Sequence, residues 1–229
     1  MFGAVFVFFL CVLLGIIIYR TVFFRIRLIH VDGPRGFQEK IFAIAKEKIH
    51  YTISNTLQAR QEILLQIPFI ASASVKSNIF TRELFITYSL RIPYLRWCNE
   101  NEGTLCYAID EGGVIFDRIA PSDDFPAIYG TYLSDIAIGK KIHARFMNPM
   151  KEIVDTLKQK QINVTSFTLQ APYIFFVNTS RAPELRLSLE MPITPQLDAL
   201  ALLLDKLGDS QIAKLHYIDL RIPNKVYYQ

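Results

Sequence analysis

The amino-acid sequence predicts an α+β protein in three parts: an N-terminal transmembrane helix (1–21), a β-α-α-β-β domain (22–97), and a mostly antiparallel β domain with two helices (98–229). Three observations predict it. Met1 to Tyr19 contains no charged residue. Downstream, the apolar residues alternate between the period of two that marks a strand and the 3.6-residue period that marks a helix, in a legible order. The chain also holds 17 Phe and 11 Tyr, an aromatic content suited to pleated sheet, where flat side chains pack well.

The uncharged run, as a helix rising about 1.5 Å per residue, would extend about 28 Å, close to the thickness of a bilayer's hydrocarbon core. No small-residue cleavage site follows it, so an uncleaved anchor is expected in preference to a signal peptide. Arg20, Arg25 and Arg27 all follow the run and no Lys or Arg precedes it. Taken alone, the positive-inside rule would put the bulk of the chain in the cytoplasm, although that rule weakens for large domains.

Phe24 to Val31 alternates as a strand and ends at the turn cluster Asp32-Gly33-Pro34. A helix is expected from about Phe37 to Ile49, with Ile41, Ile44, Ala45 and Ile49 at helical spacing, and a second from Thr56 to Gln66. Two strands follow, one carrying Ala71, Ala73 and Val75 on one face, the next Leu84, Ile86, Tyr88 and Leu90. Short strands at Leu105–Ile109 and Val114–Asp117 flank Glu111-Gly112-Gly113, a hairpin turn. Asn148-Pro149 and Thr194-Pro195 read as helix starts, the first ahead of Ile153, Val154 and Leu157, the second ahead of Leu197, Leu200, Leu204 and Leu207. Between them Val164–Leu169, Ile174–Asn178 and Leu185–Leu189 read as strands.

Chemistry-bearing motifs are missing, so no enzyme and no cofactor is expected. His30, His50, His143 and His216 are scattered, none at metal-ligand spacing from another. Gly112-Gly113 lies between two strands instead of opening a helix, so it lacks the amides that cradle a phosphate. Asp110, Glu111, Asp117, Asp123 and Asp124 read as a solvated acidic loop in preference to a calcium site. The net charge of +4 is spread without a basic block, which does not suggest nucleic acid and is equally compatible with an anionic lipid surface. Arg96-Trp97 is either a binding hot spot or, more often for such a Trp, filler at a domain junction. Cys98 and Cys106 bracket a polar loop; two unpaired thiols are expected ahead of a disulfide, which would be sterically reasonable in an oxidising compartment.

At the end of the chain Ile218, Leu220 and Ile222 alternate with Tyr217, Asp219 and Arg221, Pro223-Asn224 reads as a turn, and Lys225 to Gln229 as a last short strand. A strand at a sheet margin leaves amides and carbonyls without partners, whereas an interior position would satisfy them. Asp219 and Arg221 share a face, where they either pair with each other or leave Arg221 for a partner.

Taken in order, the uncharged run, the β-α-α-β-β pattern, "LRIPYLRW" (Leu90 to Trp97), "LCYAIDEGGVIFD" (Leu105 to Asp117), "FPAIYG" (Phe125 to Gly130) and "IDLRIPN" (Ile218 to Asn224) resemble the bacterial cell-division family FtsQ/DivIB. Each motif alone is weak; four in order behind an anchor are fairly specific. The chain departs from the family at Ile79-Phe80-Thr81, where members often carry Trp-Pro.

The resemblance implies that the β-α-α-β-β unit is a POTRA domain. It also implies a non-enzymatic scaffold of the divisome, single-pass in the plasma membrane, with the bulk of the chain outside the cytoplasm at the division site. Its expected partners are FtsB/FtsL-like single-span coiled-coil proteins, which would add a strand at the C-terminal edge through Arg221, Ile222, Lys225, Val226, Tyr227 and Tyr228. A septal cell-wall synthase would dock on the POTRA domain. A single-span assembly factor of a pilus or secretion system is the alternative, and an anchored hydrolase a third class.

Overall fold

The computed structural model describes residues 12–15, 26–48, 56–78, 80–98, 105–122, 124–130, 136–171, 173–181 and 183–229, which fall in two compact units, Met1–Arg91 and Ile92–Gln229. The strands and helices of the first unit run β1 (Leu28–Asp32), α1 (Gln38–Lys48), α2 (Thr56–Gln66), β2 (Ile70–Asn78) and β3 (Glu83–Leu90), with sheet order β1-β3-β2. β3 is central, parallel to β1 and antiparallel to β2. Its alternating Leu84, Ile86 and Tyr88 are buried together with Ile41, Ile44 and Ala45 of α1 and Ala59 and Ile63 of α2. Both helices therefore cover the same sheet face, the outcome expected when each element has a single apolar side. The Tyr88 hydroxyl donates to the Pro34 carbonyl, and the Tyr88 ring occupies the space a Cβ at Gly33 would need, which explains the glycine in that turn.

The second unit is built on nine strands: β4 (Leu95–Cys98), β5 (Cys106–Ile109), β6 (Ile115–Ile119), β7 (Ala127–Tyr129), β8 (Val164–Ala171), β9 (Ile174–Thr179), β10 (Glu184–Ser188), β11 (Tyr217–Asp219) and β12 (Tyr227–Tyr228). They form one sheet in the order β12-β11-β10-β9-β8-β7-β4-β5-β6. Helix α3 (Ala144–Gln159) connects β7 to β8, and α4 (Ile193–Leu207) with the short α5 (Asp209–Ile212) connects β10 to β11. Both pairs are parallel, as is β4 with β7.

These crossovers correct the expected fold class. A helix between neighbouring strands returns the chain to the end of the sheet where it started, so the two strands must be parallel. The crossovers make the chain mixed α/β, its second unit built on one large mixed sheet with helical crossovers, whereas the first unit keeps the expected β-α-α-β-β order.

The transmembrane helix expected over 1–21 is a second correction: among the described residues, no helix is long and apolar enough to cross a membrane. Of that run, 12–15 are described, and they are helical. The rest of the run lies outside the described residues. The single-pass, outward-facing plasma-membrane placement at the division site depended on that helix and falls with it.

Both long helices lie on one face of the β8–β11 region. Met150, Ile153 and Leu157 of α3 and Leu197 and Leu200 of α4 form one core with Phe167, Phe175, Val177, Leu185, Leu187 and Ile218. α3 starts at Ala144, ahead of the expected Asn148-Pro149, because His143 caps it: the Arg145 amide donates to His143 Nδ1 at 3.1 Å. Pro149 is the sixth residue of the helix, where it forfeits one amide bond close to the start. Pro195 is the third residue of α4, where an amide has no helical acceptor anyway.

Candidate partner-binding edge

The last residues fold back on β11 through a tight turn. Lys225 N–H donates to the Ile222 carbonyl at 3.2 Å, with Pro223 and Asn224 between them and Asn224 at φ 59°. Proline second and a left-handed Asn third is what a type II turn demands. The returning strand pairs antiparallel with β11, Tyr228 opposite Ile218 and Tyr227 opposite Asp219.

β12 stands last in the sheet order, with β11 as its one neighbour among the described residues. Its hydrogen bonds establish which backbone groups are spoken for. Gln229 N–H donates to the Tyr217 carbonyl at 3.3 Å, and the Gln229 carbonyl accepts from His216 N–H at 2.5 Å and Tyr217 N–H at 3.4 Å. Gln229 therefore faces inward. Because peptide groups alternate along an antiparallel strand, Tyr227 also faces inward, while the amides and carbonyls of Val226 and Tyr228 face away from the sheet.

The opposite margin is treated differently. At β6, Ile115 N–H donates to the Lys140 carbonyl at 2.9 Å and the Ile115 carbonyl accepts from Gly139 N–H at 2.8 Å, with a further bridge between Val114 and Lys141. That margin is partly covered by its own loop, a common protection for edge strands.

The side chains around β12 divide by face. Tyr228, across from the buried Ile218, lies on the helix-covered face at the rim and is 49% exposed; Val226 packs partly into the main core. Tyr227 lies on the opposite face beside Asp219 and is 48% exposed. Ile222 is 45% exposed. It borders a groove of about 270 Å³ that Pro192, Pro195 and Ala199 of the α4 start also line, together with Lys225.

Arg221 is engaged within the chain. Its Nε donates to Asp219 Oδ1 at 2.9 Å and its Nη2 to Oδ2 at 2.5 Å, a fork, while its own amide donates to Oδ1 at 3.1 Å. These bonds hold the Asp219 carboxyl below the usual carboxylate range and push the Arg221 guanidinium up, both against the opposing effect of burial. Of the two readings of Arg221, the internal pair is the one formed. Its contribution to the edge is to fix the strand immediately before the turn.

Sequence reasoning missed the row that continues inward from Tyr227. Arg186 of β10 pairs with Asp219 in register and with Phe176 of β9 on its other side. Its guanidinium lies 4.0 Å from the Tyr217 ring centroid and 5.3 Å from that of Phe176, and its Nε donates to Glu184 at 2.9 Å. Stacked cation and aromatic rings stiffen the sheet face leading to the edge. Only the strand order brings these residues together, so linear spacing carried no signal of the row.

Elsewhere the polar residues have structural duties. His30 stacks on Phe85 at 4.8 Å, and the Asp110 carboxylate accepts from Val114 N–H at 2.7 Å inside the hairpin turn. Arg96 is buried on β4, and Trp97 packs against Tyr107 within the second unit. Cys98 and Cys106 are joined as a disulfide, correcting the expected free thiols: the β4/β5 register puts them directly opposite, Cα atoms 4.4 Å apart. Among the described residues, no group of three His, Cys, Asp or Glu could hold a metal ion.

No family model matches the chain, and no curated protein matches it.

Proposed function

We propose that this chain is a non-enzymatic scaffold of the bacterial division machinery, similar in role to FtsQ/DivIB, that captures an FtsB/FtsL-like coiled-coil partner by strand addition along β12. The observation that carries the reading is the outermost position of β12, with the peptide groups of Val226 and Tyr228 turned away from the sheet. Strand addition draws affinity from such groups and selectivity from alternate side chains. The order of the four sequence motifs supplies the link to division.

In the bound state, partner residues opposite Val226 and Tyr228 lie on the helix-covered face beside an apolar rim, and the residue opposite Tyr227 lies on the polar face. The partner strand is therefore expected to alternate apolar and polar.

Proline isolates the backbone term, because the Tyr228 N–H makes no bond to β11. Tyr228→Pro removes an outward donor and the side chain; Tyr228→Ala removes the side chain alone. With a recombinant FtsB/FtsL-like pair from the same genome, titrated by calorimetry, Tyr228→Pro is expected to weaken binding about fivefold beyond Tyr228→Ala, one charge-neutral hydrogen bond being worth about 1 kcal/mol. Equal affinities of the two variants would remove the backbone from the interaction, and a wild-type chain that binds no such pair would overturn the role.

A further inference from the structure

We propose a second strand-docking site, on the first unit, in which an extended segment of another polypeptide adds to β1 and inserts an apolar side chain between β1 and α1, with carboxylates two residues to either side of it, on the same face, meeting Arg27 and Lys46. This inference does not depend on the β12 reading.

Three observations converge on it. First, β1 is an outer strand, paired with β3 alone among the described residues. Arg27 N–H donates to the Arg82 carbonyl at 2.8 Å, so by alternation Arg27 and Ile29 turn their peptide groups toward β3, and Leu28 and His30 turn theirs outward. The other outer strand, β2, is blunted by a register shift between Ile70 and Ser72 and by Lys76, devices that discourage pairing.

Second, an apolar groove of about 170 Å³ runs beside β1, lined by Ile26, Leu28 and Ile29 of the strand side and by Phe42 and Ala45 of α1. That volume suits one aliphatic or aromatic side chain. Leu28 is 49% and Phe42 42% exposed at its mouth. A segment hydrogen-bonded to Leu28 and His30 would direct every second side chain toward α1, into this groove.

Third, the groove also touches Arg27 and Lys46, and no carboxylate pairs with either cation among the described residues. An apolar groove with cations at its rim, next to outward-facing amides, selects an extended segment with an apolar residue and acidic residues two positions from it, all on the face turned toward α1. A basic segment would meet like charge, and a helix would leave the β1 amides unmet.

The test uses the full chain, ¹⁵N-labelled, titrated with the synthetic peptide acetyl-SDSLSDS-amide and with acetyl-SKSLSKS-amide as its charge-reversed control. The acidic peptide should shift the amide resonances of Leu28 and His30 in a saturable manner below about 1 mM, and the basic peptide should not. Lys46→Glu should weaken binding about tenfold by turning an attraction into a repulsion. Leu28→Pro, which deletes an outward donor while leaving the β3 pairing intact, should weaken it more than Leu28→Ala, with unchanged thermal unfolding of the free chain. Equal binding of the two peptides, shifts centred on Ile70–Asn78 or on β12, or no saturable shift up to about 1 mM would overturn the proposal.

Discussion

Gly130 offers a quantitative test of how tightly β7 is packed against β8. Its φ is +137°, and a Cβ built there would stand 2.9 Å from the Leu169 carbonyl oxygen and 3.0 Å from the Leu169 Cβ. Gly130→Ala therefore carries two costs. The first is the backbone conformation, about 1–2 kcal/mol for a non-glycine residue at positive φ. The second is overpacking against a β8 backbone that cannot step aside without disturbing the parallel β7/β8 pairing, about 1–3 kcal/mol. The sum is about 2–5 kcal/mol, a large part of an ordinary domain's stability. Gly208, at the C-terminus of α4, separates the terms: its φ is +70° and a Cβ added there would meet nothing within 4 Å, so Gly208→Ala should lose only about 1–2 kcal/mol. The chain's single Trp makes the assay selective. Trp97 sits on β4, opposite Ile128 of β7, so urea unfolding followed by its fluorescence reports the second unit. A loss at Gly130→Ala no larger than at Gly208→Ala would refute the close approach of the two strands.

The Asp219–Arg221 fork predicts a pH signature. The folded Asp219 pKa is lowered from the ordinary value of 3.8, so its contribution is complete above that value and is lost as pH falls through the lower folded pKa. Asp219→Asn should cost about 1 kcal/mol at pH 7, and the gap in urea midpoint between wild type and variant should narrow only as pH falls below the ordinary carboxylate value of 3.8; a gap that does not change with pH across the acid range would refute the ion pair. Cys98→Ser should lower the stability of the second unit by about 2–3 kcal/mol in the chain-entropy picture for a short loop. Non-reducing peptide mapping should recover Cys98 and Cys106 in one linked fragment, and alkylation of both without reductant would contradict the pairing.

Faces are easier to read from the sequence than neighbours. The alternation of Leu84, Ile86 and Tyr88 identifies the buried side of β3, and Leu197 and Leu200 the inner stripe of α4, because burial imposes the element's own period. That period carries no information about which strand lies alongside, so the parallel β4/β7 pair and the Phe176–Arg186–Asp219–Tyr227 row are illegible in it. β4 and β7 have four and three residues, too few for a period to show. The α3 start is misread because Asn148-Pro149 carries a familiar start signal, whereas His143 is an uncommon cap. At the candidate edge, the turn and final strand are visible in Pro223-Asn224 and Lys225–Gln229. The engagement of Arg221 by Asp219 is not, since residues two apart on a strand share a face whether or not they touch. The uncharged N-terminal run suggests a membrane helix through composition alone, and composition does not establish helical continuity.

Amide hydrogen exchange at the last four residues tests the open margin most directly. In the free chain, the amides of Tyr227 and Gln229 should be protected by β11, and those of Val226 and Tyr228 should exchange like exposed backbone. Adding the FtsB/FtsL-like pair should slow Val226 and Tyr228 by tenfold or more and leave Tyr227 and Gln229 nearly unchanged. Protection of Val226 and Tyr228 already present in the free chain, or binding that leaves both amides fast, would contradict strand addition at β12.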